Sequence, residues 1–188
     1  MPATKPMNVL VLGASGRLGR ALVRRFSADG HRASALSHKD LDLARLDTVQ
    51  PCLETQEFDL LINTAGLTDV DFCEAHAELA HTVNAVAPGI AAAECQRRGA
   101  RYVQISTDYV FAGDGRTPLR EDSPPRPLNA YGRSKLQGEH ACLEAQPDAL
   151  VLRVAWLFGH DKPSFPDRIL RQALERLDIS AVNDKWSS

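Results

Sequence analysis

The chain has 188 residues, 44% of them apolar, and a formal charge of −2 at pH 7. That length and apolar content suit one domain with a substantial core. With no basic block, the chain lacks the clustered cationic footprint of a nucleic-acid binder, so no nucleic-acid partner is expected.

The first apolar run, Val9 to Leu12 in "NVLVLG", is short and glycine follows at once. This predicts a buried strand, neither a secretory h-region nor a membrane span. No targeting segment and no membrane partner are expected. "GASGRLG" comes next, with Gly13, Gly16 and Gly19 three residues apart and Ser15, Arg17 and Leu18 between them. Glycine there lets backbone approach a pyrophosphate closely, and the helix that opens at the turn offers free amides and a positive dipole end. Any tight turn can use glycine; the strand before and helix after select a dinucleotide site.

The second strand, "HRASALS", ends in "SHKDLD", where the reader of the adenosine ribose sits. Ser37, His38 and Lys39, with Arg17, can accept a 2′-phosphate, whereas Asp40 and Asp42 favour a free hydroxyl. The balance leans to NADPH, with NADH also usable. A helix over "LARLDTVQPCLETQ" tolerates Pro51 if Asp47 caps it, since proline then falls in the first turn. The strand "FDLLINTAG" completes a β-α-β-α-β order, which predicts crossover units and a parallel sheet.

A long helical region from Val70 to Gly99 follows, with Pro88 starting a new turn or kinking it. Beyond the strand "ARYVQIS" and a loop rich in Gly, Asp and Pro come a helix from Asn129, a strand "ALVLRVAWLFG", a helix around "DRILRQALERL" and a short strand "ISAV". These make about six strands, a doubly wound α/β count with right-handed crossovers expected. Cys52, Cys73, Cys95 and Cys142 form no C-x-x-C pair, which predicts free thiols in a reducing cytoplasm. Cys73 and His76 share a helix face, but two ligands make no persuasive metal centre and none is expected.

In "NAYGRSKLQGEH", Tyr131 and Lys135 stand four residues apart, one above the other on a single helix face. Such pairs are common, and most only cover core with their stems. Joined to a dinucleotide turn, this pair gains a role. Hydride delivery to a ketone leaves charge on oxygen, which needs a well-placed acid. Tyr131 is the expected acid, and a lysine ammonium one turn away is expected to lower its pKa. Lys135 is also expected to hold the nicotinamide ribose. Ser106 and Thr107 lie at the carboxyl end of a strand, where open parallel sheets bind ligands, and a hydroxyl there can steady a carbonyl.

The segments "GASGRLGR", "FDLLINTAGLTDVDFCEA", "VNAVAPG", "STDYVFAGDGRTPLREDSPPRPLNAYGRSKLQGE" and "LVLRVAWLFG" resemble the extended short-chain dehydrogenase/reductases, and among them the dTDP-4-dehydrorhamnose reductase family. The likeness runs from about residue 8 to 182, and the block from Ser106 to Glu139 is its most specific part. It implies NADPH-dependent reduction of the 4-keto group of a dTDP-4-dehydro-6-deoxy sugar, with Thr107, Tyr131 and Lys135 as the catalytic set. It places Asp42 and Leu43 along the adenine, and Thr64, Ala65 and Gly66 along the ribose and nicotinamide. Thr68, Val70, Asp71, Asp108 and Trp156 fall at positions facing the sugar; Trp156 reads equally well as an ordinary buried aromatic. Similar 4,6-dehydratases carry Thr-Asp-Glu, and Tyr109 in place of that glutamate favours simple reduction; epimerases stay open but fit the block less well.

The resemblance further implies that residues 1–188 form the dinucleotide-binding Rossmann domain, that a C-terminal substrate portion is absent from this chain, and that a homodimer can form. Two other readings stay open. One is a non-catalytic NADP-binding regulatory subunit of the kind that serves methionine adenosyltransferase; the other is an inactive truncated relative.

Overall fold

Val9, Leu10, Val11 and Leu12 are all buried, as a strand covered on both faces requires. This strand, β1 (Asn8–Leu12), lies between β2 (Arg32–Leu36) and β3 (Leu60–Asn63). With β4 (Arg101–Thr107) and β5 (Leu150–Val154) they form a parallel sheet in the order β2-β1-β3-β4-β5. The computed structural model describes residues 5–115, 117–159, 163–175 and 178–179.

Alternation along β1 sends its side chains to two layers. Leu10 and Leu12 enter a core with Val49 and Leu53 of α2 (Leu46–Glu54), Ala91 and Cys95 of α5 (Ala87–Arg98), and Cys142 of α6 (Ala130–Ala145). Val9 and Val11, with Ile62, pack under Leu22, Val23 and Phe26 of α1 (Arg17–Ala28). The chain leaves β1 for β2 on one side and returns to β3 on the other, so the strand order reverses between β1 and β3 while every strand stays parallel. Their carboxyl ends are level, Leu12 paired with Asn63, and a crevice opens above them where such sheets bind ligands.

Two expectations need revision. Helix α2 begins after Arg45, so Asp47 lies inside the first turn and does not cap it, and Pro51 is an interior residue. Pro51 faces solvent, where the carbonyl deprived of its amide partner can be hydrated. The long helical region is divided into α3 (Val70–Ala75), α4 (Ala77–His81), a π-helical turn (Thr82–Val86) and α5. Asp69 caps α3 by accepting from the Phe72 amide at 2.9 Å, and His76, outside helical geometry, separates α3 from α4. Pro88 does open a new helical stretch, at the start of α5 directly after the π turn. The final strand expected at "ISAV" lies, apart from Ile179, outside the described residues.

Candidate active site

The glycine turn is built by close packing. Gly13 has φ +74°, and a Cβ placed on it would sit 2.7 Å from the Ala65 backbone nitrogen. A side chain is therefore excluded by conformation and by space. The Gly16 amide donates to the Gly13 carbonyl at 2.8 Å, and α1 starts at Arg17 with its amino end over the crevice. Gly19 is held against the same carbonyl, where a Cβ would come within 2.5 Å.

A cleft of about 540 Å³ extends from this turn. Of the residues named for the cofactor, Gly13, Ser15, Gly16, Ser37, Asp42, Leu43, Thr64, Ala65 and Gly66 line it, together with His38, Leu41 and Val83, among others. Leu18, Gly19, Lys39 and Arg17 do not. Arg17 turns to the other side of α1, donating to the carbonyls of Leu157 at 2.9 Å and Pro163 at 2.8 Å. At the end of β2, Asp40 occupies the donors of Ser37, accepting from its amide at 2.8 Å and its hydroxyl at 2.6 Å. These bonds hold the Asp40 carboxyl below its ordinary range. The proposed basic reader of a 2′-phosphate is thus reduced to Ser37 and His38 in the cleft wall, beside an acid.

Asn129 caps α6 by accepting from the Gly132 amide at 2.8 Å, which fixes where the first turn points. Tyr131 and Lys135 are both buried. The Tyr131 ring meets Tyr109 edge to face at 5.5 Å and packs with Cys73, Ala80 and Ala130, against which Val70 and Leu67 also rest. The phenol departs from expectation: burial pushes its pKa up, the Thr107 hydroxyl beside it opposes that rise, and Asp108 adds to it. Lys135 does not supply the expected depression, because its ammonium is turned to the strand. Its Nζ donates to the Ile105 carbonyl at 2.7 Å, and burial lowers its pKa to about 8. The same ammonium lies 3.9 Å from where a Cβ of Gly66 would be, at the edge of the cleft. Tyr131 and Lys135 thus stand behind the wall formed by Gly66 and Leu67.

Thr107 closes β4 and opens a 3-10 turn (Asp108–Val110), accepting from the Tyr109 amide at 3.2 Å and donating to Asp108 at 3.1 Å. Ser106, expected as a second carbonyl-steadying hydroxyl, instead turns inward and donates to buried Glu139. Of the residues expected to face sugar, Thr68 and Asp71 are exposed, Val70 touches the Tyr131 cluster, and Asp108 adjoins Thr107. Trp156 is 45% exposed, so it is not a buried core aromatic. It packs edge to face on Phe165 in a second cavity of about 520 Å³, which also takes in Arg17, Arg168 and Arg171.

Several residues that hold the site escaped the sequence reading. Asn84, in the π turn, clamps the segment after β3: its Oδ1 accepts from the Leu67 amide and its Nδ2 donates to the Leu67 carbonyl, each at 2.9 Å. It also donates to Ser134 of α6 at 3.0 Å. Asn63 donates to Gln104 at 3.0 Å, and its Oδ1 receives the Ala65 amide at 3.0 Å, shaping the turn out of β3. The segment "VNAVAPG" held a hint in an asparagine four residues before a proline, but its partners lie in distant segments. Among the described residues no His, Cys, Asp and Glu group could hold a metal ion, and no helix is long and apolar enough to cross a membrane.

Residues 7–188 match the family described as RmlD substrate binding domain. A dTDP-4-dehydrorhamnose reductase of Mycolicibacterium smegmatis is 41% identical over 182 residues, covering 96% of this chain and 55% of the relative. The spore coat polysaccharide biosynthesis protein SpsK of Bacillus subtilis is 36% identical over 180 residues, 96% of this chain and 64% of its own length. The crystal structure of a dTDP-4-dehydrorhamnose reductase from Bacillus anthracis in complex with NADP superposes with a TM-score of 0.88 at 32% identity, covering 94% of this chain and 63% of that one. The chain thus spans less than two thirds of these relatives.

Proposed function

Since the chain belongs to the RmlD substrate-binding-domain family, we propose that it is the dinucleotide-binding Rossmann portion of a cytoplasmic sugar-nucleotide reductase. It uses NADPH, with NADH also accepted, to reduce the 4-keto group of a dTDP-4-dehydro-6-deoxy sugar to the alcohol. The observation that carries the reading is the glycine turn at the end of β1, whose cleft reaches Gly66, with the Lys135 ammonium directly behind Gly66 and the Thr107 hydroxyl beside Tyr131.

The residues fit a dinucleotide. Gly13 and Gly16 bring backbone to the amino end of α1, where phosphates are favoured. Thr64, Ala65 and Gly66 line the way toward Lys135. When bound, the reduced nicotinamide supplies a hydride to the ketone carbon. Tyr131 donates its proton to the oxygen that becomes an alcohol. Burial keeps that phenol protonated at neutral pH, the form a donor requires. Thr107 lies beside the hydroxyl and holds the carbonyl oxygen. Lys135, an ammonium below about pH 8, is turned to the Ile105 carbonyl and stands behind Gly66, on the side of the cleft assigned to the nicotinamide ribose.

The test mixes the chain with dTDP-4-dehydrorhamnose and follows the loss of NADPH absorbance. Turnover that disappears in Tyr131→Phe supports the reading. Normal NADPH binding without turnover, in a chain extended to the length of its relatives, would turn it toward a non-catalytic binding role.

A further inference from the structure

Helix α6 faces β4 with a stripe of Tyr131, Lys135, Glu139 and Cys142, and each member meets the strand. Tyr131 lies beside Thr107, Lys135 donates to the Ile105 carbonyl at 2.7 Å, Glu139 accepts from the Ser106 hydroxyl, and the Cys142 thiol reaches Gln104 Oε1 at 3.8 Å. Glu139, the acid in this stripe, is only 2% exposed. Arg153 grips its carboxylate with two nitrogens, Nε at 3.0 Å and Nη2 at 2.6 Å. Arg153 is also the partner of Ser106 across the β4–β5 ladder, and its guanidinium lies 4.9 Å over the Phe111 ring, just past the 3-10 turn. One carboxylate therefore ties α6, β4 and β5 together at the residue before Thr107. A buried ion pair adds little net stability against an apolar alternative; what it fixes is geometry.

We propose that Glu139 is a positioning residue: gripped by Ser106 and Arg153, it sets the approach of Tyr131 to Thr107 and presents a fixed negative charge to the Lys135 ammonium. The first role rests on the reductase reading, while the second rests on the one-turn spacing of Lys135 and Glu139 on α6 and on their contacts with adjacent Ile105 and Ser106 of β4. Glu139 and Cys142, both on α6, are the titratable groups facing Lys135. Burial pushes the Cys142 thiol up to about 11, so it stays neutral. From the other elements, β4 presents the Ile105 carbonyl, the segment after β3 presents Gly66, the π turn presents Asn84 beyond it, and β5 presents Arg153 behind the carboxylate. Glu139 is thus the one anion facing that ammonium among the described residues.

Glu139→Gln keeps size and an acceptor oxygen but removes the charge. The Lys135 Nζ titration, followed by ¹⁵N NMR and assigned with Lys135→Met, is expected to move to lower pH. In the same variant kcat should fall about tenfold or more, NADPH affinity measured by fluorescence should hold, and the alkaline limb of the kcat profile should move to lower pH. A merely structural ion pair would lower the melting temperature and leave the titration in place, and that result overturns the charge role. Ser106→Ala provides a second arm if the glutamine variant does not fold. It leaves both charges and removes the strand contact, so kcat should fall while Lys135 titrates as in wild type; an unchanged kcat overturns the positioning role. Wild-type protein that binds NADPH but reduces no sugar removes the positioning role together with the reductase reading, and the NMR titration then decides the charge role by itself.

Discussion

Lys135 shows most directly what the site costs the fold. Its pKa is about 8 in the folded chain against an ordinary value of 10.5. Between these values the unfolded chain keeps a proton that the folded chain has released, so stability rises with pH through that window. Below about pH 8 both states carry the charge and the full cost of burying it applies. That net cost is on the order of 3 kcal/mol, and removing the ammonium would leave the Ile105 carbonyl unpaired at a cost of about 1 kcal/mol. Lys135→Met is therefore expected to be more stable than wild type by about 2 kcal/mol at pH 7, the gain fading toward pH 10 and above. Urea unfolding at the two pH values checks this, and a variant less stable at pH 7 would contradict it. Tyr131→Phe should leave NADPH affinity in place while kcat drops by about 10²- to 10⁴-fold, read by steady-state kinetics and a fluorescence titration. Tyr131 and Lys135 were legible because their relation is one helical turn. Arg17 was not, since its acceptors lie 140 and 146 residues away. The direction of the Tyr131 shift was also missed, because burial depends on packing by Cys73, Ala80 and Leu67 from other segments.

The elements that hold the crevice are vulnerable at predictable points. Gly13→Ala meets both a positive φ and the Ala65 backbone, so it should destabilise the fold by at least about 2 kcal/mol and abolish dinucleotide binding. Thermal unfolding and NADPH titration measure the two effects separately. Asn84→Ala removes three buried hydrogen bonds that join the π turn, the segment after β3 and α6. The expected loss is about 2 to 3 kcal/mol, seen as a lower urea midpoint, along with weaker NADPH binding as Gly66 and Leu67 loosen. Strands and long helices were readable from apolar periodicity. The break at His76 and the π turn were not, because continuous apolar spacing from Val70 to Gly99 does not report where hydrogen bonding shifts register. Pro51 was misplaced for a related reason: a capping residue can be guessed from type, but here the helix begins at Leu46 without a side-chain cap.

At the scale of the molecule, the doubly wound parallel class followed from the alternation of strands and helices. The order β2-β1-β3-β4-β5 did not, since it depends on which side each crossover takes. β5, the last strand of the sheet among the described residues, leaves Leu150 and Leu152 exposed, and α7 (Phe165–Leu174) has no buried residue. Exposed apolar side chains favour association, so the isolated chain should self-associate with rising concentration. Leu150→Lys should reduce this in light scattering without changing NADPH affinity. The contact of Gly13 with the Ala65 backbone has a wider consequence. Under the proposed function it welds the support meant for the phosphates to the support meant for the nicotinamide, so the two halves of a dinucleotide would land on a single rigid anvil. Separate mononucleotides should then bind far more weakly than their joined form, because the linkage lets one ordering event serve both ends.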